Sequence, residues 1–117
     1  MTYVALWARA FALTLAVETP IAVWLLRDAD RSRLRRLGAV LAGNLATHPA
    51  VWFILPALGL SHLPITAVQE TWAVVIELAV YRLVFPTLPW SRALGVSALA
   101  NGASFAVGLL LRSRGLV

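Results

Sequence analysis

The sequence has no cysteine, no lysine, one methionine and only five acidic residues in 117. Without cysteine there is no disulfide, no thiolate metal site and no thiol nucleophile. All ten basic residues are therefore arginines, and the net charge is +5. In a soluble protein that surplus would suggest a nucleic-acid partner. Here no nucleic acid is expected, because 61% of the chain is hydrophobic, against about 45–50% in soluble domains. The apolar residues fall in four blocks, each near the roughly 20 residues that cross a bilayer. The chain reads as an all-α integral membrane protein with four transmembrane helices in one domain, its main partner the lipid bilayer.

The helices are expected at about 2–26, 38–60, 65–85 and 91–111. The first block lacks an early basic region and carries Glu18 inside its apolar run, so it reads as a span, not a signal peptide. Pro20 and Pro49 should each remove one hydrogen bond within a helix, freeing the carbonyls of Ala16 and Leu45. A basic loop, Arg27–Leu37, follows helix one. The segments after helices one and three hold Arg27, Arg31, Arg33, Arg35, Arg36, Arg82 and Arg92, seven in all, while Arg9, Arg112 and Arg114 lie on the other side. Seven against three places the loops in the cytoplasm and both termini outside, in the plasma (inner) membrane of a prokaryote. Arg31, Arg33, Arg35 and Arg36 are also candidates for contact with anionic lipid headgroups. A plain topology signal is the simpler reading of that cluster.

The stretch Ile65–Phe85 holds two carboxylates, Glu70 and Glu77, one heptad apart. At about 100° per residue they share a face with Thr66, Ala73 and Tyr81. That face should turn inward, since a charge in the bilayer centre costs several kcal/mol. Counting about 1.5 Å per residue from the cytoplasmic end, Glu18, Asn44, Glu77 and Asn101 all fall roughly 12–15 Å deep. One polar residue from each helix therefore shares a layer, with His48 about a turn beyond it.

The two halves of the chain also match. Asn44-Leu-Ala-Thr47 and Asn101-Gly-Ala-Ser104 have one pattern, and Glu18 aligns with Glu77. This suggests two parallel helical-hairpin repeats with a pseudo-two-fold along the membrane normal. His48 and Glu70 break the match, since Phe105 and Phe11 occupy their partner positions.

Two carboxylates side by side in a low dielectric cannot both stay charged unless a cation joins them. Glu18, Asn44, His48, Glu77 and Asn101 form a candidate site for a proton or a cation, with Na⁺, Mg²⁺, Mn²⁺ and Zn²⁺ all admissible. Glu70, Thr47 and Ser104 are candidate pathway residues. The leading function is a transporter or permeation subunit, as a homo-oligomer because four short helices enclose little space. One rival is a membrane enzyme acting on a lipid or isoprenoid, although HExxH and GxSxG are both lacking. The other is a structural or assembly subunit of a larger membrane complex. Hydrogen bonding between helices would explain the polar residues without a site. For the glutamates it explains less, because glutamine bonds as well without the cost of ionisation.

Overall fold

The computed structural model describes residues 1–116. Four helices, α1 (Tyr3–Leu25), α2 (Arg33–Phe53), α3 (His62–Val84) and α4 (Trp90–Ser113), carry most of the chain, and a short 3₁₀ turn, Leu55–Leu58, follows α2. All four are long and apolar enough to cross a membrane, the pattern of a multi-pass membrane protein.

Their ends follow from local chemistry. The Thr2 hydroxyl accepts from the Ala5 N–H and starts α1, and the Ser32 hydroxyl accepts from the Arg35 N–H and starts α2. An Asp30 carboxylate in turn accepts from the Ser32 N–H at 2.8 Å. This cap places the start of α2 at Arg33, not at Gly38 as the charge pattern suggests, so Arg33, Arg35 and Arg36 belong to its first turn. Helix α2 stops at Phe53, ahead of the expected 60, where the turn containing Pro56 takes over and ends at Gly59 with φ +70°. Pro64 sits in the first turn of α3, where its missing N–H removes no helical bond. Helices α1 and α2 run on through Pro20 and Pro49.

Each helix packs against its neighbours in sequence, and α4 closes the ring against α1. Among the described residues the diagonal pairs, α1 with α3 and α2 with α4, have no close backbone contact. The arrangement is a square, and whatever points inward from opposite corners meets on its axis.

The two ends of the square differ. At the loop end Ala22, Leu26, Ala39, Val40, Tyr81, Phe85, Leu88, Ala93, Val96 and Ala100 form a packed core. Arginines tie that end together through backbone carbonyls at helix C-termini. Arg35 donates to Val84 at 3.0 Å, Arg92 to Leu25 at 2.7 Å and Arg36 to Val23 at 2.7 Å. These carbonyls are the unpaired ones at a helix end, where positive charge is favoured. Two of the four arginines expected at lipid headgroups are thus engaged within the protein, Arg35 also pairing with Asp30 at 3.2 Å. Toward the chain termini the helices part around a cavity of about 820 Å³.

Candidate functional site

The distribution of side chains is that of a bundle in an apolar solvent. Large apolar groups such as Trp24 and Leu83 face outward. Glu18, Asn44, Thr47, Glu77, Ser97 and Asn101 are all buried, and both glutamates have no exposed surface at all.

Glu18 on α1 and Glu77 on α3 come from opposite corners, and their carboxyl groups are neighbours. Asn44 on α2 lies beside Glu18, and Asn101 on α4 beside Glu77. The four side chains expected at one depth therefore form one cluster. Each carboxylate has a hydroxyl donor from the next helix: Ser104 to Glu18 at 2.7 Å, and Thr47 to Glu77 at 3.4 Å. The asparagine amides each donate to the carbonyl one turn back, Asn44 to Val40 at 2.9 Å and Asn101 to Ser97 at 2.8 Å. That fixes their orientation and turns the amide oxygens away from their own helix ladder.

What is left over is a set of acceptors. One oxygen of Glu18, one oxygen of Glu77 and the amide oxygen of Asn44 are buried without a hydrogen-bond partner. Buried polar atoms are almost always satisfied, and three orphan oxygens in one cluster call for a donor or a cation. Two adjacent carboxylates out of water require the same thing, since mutual repulsion adds to the cost of burial. The Tyr81 hydroxyl, a turn beyond Glu77 toward the packed end, is also buried and unpartnered.

The composition of the cluster narrows the ion. Among the described residues no three His, Cys, Asp or Glu side chains come together as metal ligands. His48, expected beside the glutamates as a ligand, is instead held by α1: its Nε2 lies 3.0 Å from the Thr14 hydroxyl, and its ring packs edge-on against Phe11. Imidazole thus lies above the pair and not in it. The oxygen set that remains, two carboxyls and an amide, suits a proton or a hard cation such as Na⁺, Mg²⁺ or Mn²⁺ better than Zn²⁺.

The cavity ends on this cluster. Glu18, Asn101, Thr47 and Ser104 line its inner part, Thr14, His48 and Glu70 its wall, and Arg9, His62 and Arg112 its outer part near the termini. Thr47 and Ser104 therefore have two contacts each, one with a carboxylate and one with the cavity. Glu70 is half-buried in the wall.

Two contributors were not singled out by sequence reasoning. Gly43 faces Glu77 so closely that a Cβ there would lie 3.0 Å from the glutamate Cγ. A glycine beside the layer asparagine is the only signal, and in a membrane helix such glycines are common. Gln69 is the other, donating from α3 to the Val51 carbonyl of α2 at 3.0 Å. Ser97 also donates across helices, to the Val74 carbonyl at 2.7 Å.

Compared with protein-family models, curated proteins and solved structures, the chain matches none.

Proposed function

We propose that the protein is a membrane transporter whose Glu18–Glu77 pair takes up a proton or Na⁺ from a cavity open toward the chain termini. The observation that carries this is the position of the pair: Glu18 lines the inner end of a cavity, Glu77 lies beside it, and the packed core closes the other side. A continuous pore would need a polar route through Leu26, Tyr81, Phe85 and Leu88, and these are buried and tightly packed. A site reached from one side and blocked on the other is what alternating access requires of one of its states. The arginine distribution puts the closed end in the cytoplasm and the cavity mouth outside.

The same reading includes an internal repeat of two parallel hairpins. Its support is the recurrence of contacts at matched positions. Arg35 to Val84 pairs with Arg92 to Leu25, Thr47 to Glu77 with Ser104 to Glu18, and Asn44 to Val40 with Asn101 to Ser97. In every case the α1 and α3 positions differ by 59 residues and the α2 and α4 positions by 57, obtained by subtracting residue numbers. A two-residue difference in the connecting loops accounts for the change. With such an axis along the membrane normal, the paired carboxylates lie on it.

Calorimetric titration of the purified protein with NaCl, choline chloride serving as control, tests the site. Na⁺ displaces the shared proton, so binding should release protons and weaken as pH falls. The dependence should vanish in Glu77→Gln, which bonds like the carboxyl but cannot exchange a proton. Heat without proton release, unchanged from pH 6 to 8, would contradict the shared-proton mechanism.

A further inference from the structure

The cavity wall holds two titratable side chains that the carboxyl pair does not use, His48 and Glu70. Both also stand against an aromatic residue in the other half of the molecule. The matched residues are Phe105 and Phe11, so an apolar pair on one side of each match stands against an ionisable group on the other.

Their placement is graded. Glu70 precedes Glu77 by two helical turns, about 10 Å toward the mouth, and His48 follows Asn44 by about one turn, roughly 6 Å. Thr14, which holds His48 Nε2 at 3.0 Å, precedes Glu18 by one turn on the same face of α1. The second ring nitrogen of His48, Nδ1, is buried with no partner. An imidazole with one nitrogen hydrogen-bonded and the other free can accept a proton on one and give it up from the other. Glu18 and Glu77 themselves have no exposed surface. A proton bound for them must be handed over by a group that solvent can reach, and Glu70 and His48 are half-buried in the cavity wall.

We infer that Glu70, His48 and Thr14 form the proton entry route from the cavity mouth to the Glu18–Glu77 pair, which deepens the transporter reading and rests on it. A proton taken up at the Glu70 carboxylate passes to the free nitrogen of His48. The opposite N–H gives up its proton to the Thr14 hydroxyl, whose own proton moves on toward Glu18. One proton has been transferred, and His48 is left in its other tautomer, so a ring flip must reset it before the next proton passes. All four residues line the cavity, so water can bridge Glu70 to His48 and Thr14 to Glu18 once a rotation of the ring uncovers the buried Nδ1. The other charged or titratable groups lining the cavity are Tyr3, Arg9 and Glu18 on α1, His62 on α3 and Arg112 on α4, with Glu77 beside Glu18. Arg9, His62 and Arg112 are at the exposed end, where water screens them; His48 is the only such group contributed by α2.

Time-resolved infrared spectroscopy after a pH drop tests the route on protein in liposomes. The signal is the carbonyl-stretch band of the protonated pair, identified by its change in Glu18→Gln and Glu77→Gln. In Glu70→Gln and His48→Phe the band should reach its usual amplitude but rise at least about tenfold more slowly, the low end of what a positioned acid–base group contributes. His48→Phe copies the matched residue, and His48→Gln, which keeps a bond to Thr14, guards against a packing artefact. Rates unchanged in all three variants would overturn the route while leaving the pair intact. Absence of the band from the parent protein at every pH would overturn the pair itself.

Discussion

Gly43 and Ser104 show how closely the carboxyl pair is fitted. Adding one methyl at Gly43 brings a carbon to 3.0 Å from Glu77 Cγ, so either the α2–α3 contact or the glutamate must shift. Gly43→Ala should reduce Na⁺ affinity by displacing the glutamate, while the helix propensity of alanine, about 1 kcal/mol better than glycine, offsets part of the crowding cost; both are read from thermal unfolding with and without Na⁺. The two hydroxyl donors are unequal: 2.7 Å from Ser104 to Glu18, 3.4 Å from Thr47 to Glu77. A short bond to a carboxylate contributes about 1.5–3 kcal/mol and a long one much less. Ser104→Ala should therefore cost more stability than Thr47→Ala, with Ser104→Thr restoring part of it. Equal losses in denaturation of the two alanine variants would mean that the bonds are not what holds the carboxyls. At this scale the sequence was informative about cost and silent about contact. Glu18, Glu77, Asn44 and Asn101 announce themselves because polar groups in lipid are expensive. That His48 turns to Thr14, or that Gly43 abuts Glu77, depends on helix rotations of a few tens of degrees that no residue type encodes.

For the helices, lipid made the count legible and hid the ends. Apolar solvent selects continuous apolar runs, and all four were readable as such. The start of α2 was not, because arginines in a row look like a loop. They sit in a helix since Ser32 caps it and the carbonyls of α1 and α3 receive their guanidinium groups. Arg35 and Arg92 perform matched roles, each joining the first turn of one helix to the last carbonyls of another. Arg35 is well exposed, its side chain at 59%, so each bond should contribute only about 1 kcal/mol. Arg35→Ala with Arg92→Ala should lower thermal stability roughly additively, the sites being far apart in sequence and on opposite helix pairs. Protease cleavage in the 27–32 and 86–89 connections should quicken in the double variant. Stability identical to the parent would show that the apolar core alone closes that end.

In the whole molecule, the proposed transport depends on the contrast between a closed end and an open one. The pattern of spans could not reveal it, because each apolar run continues through both halves of its helix. It arises from packing: small residues such as Ala22, Ala39, Ala93 and Ala100 interlock at one end, while Trp7, Phe11, Trp52 and Phe53 gather between α1 and α2 at the other. The polar layer was legible from depth alone, and the proposed repeat rests on a four-residue pattern. The one-sided cavity beside the layer became visible only in three dimensions.

The central claim is that Glu18 and Glu77 share one proton at the inner end of that cavity. Dicyclohexylcarbodiimide, an apolar reagent that reacts with protonated carboxyls in membranes, measures this directly. Followed by mass spectrometry on intact protein and on peptides, labelling should place one adduct per chain, on Glu18 or Glu77 and not on both. Na⁺ should protect against it, and the protection should weaken as pH falls because the proton competes for the same oxygens. An adduct confined to Glu70, or both glutamates labelled in one chain, would contradict the account.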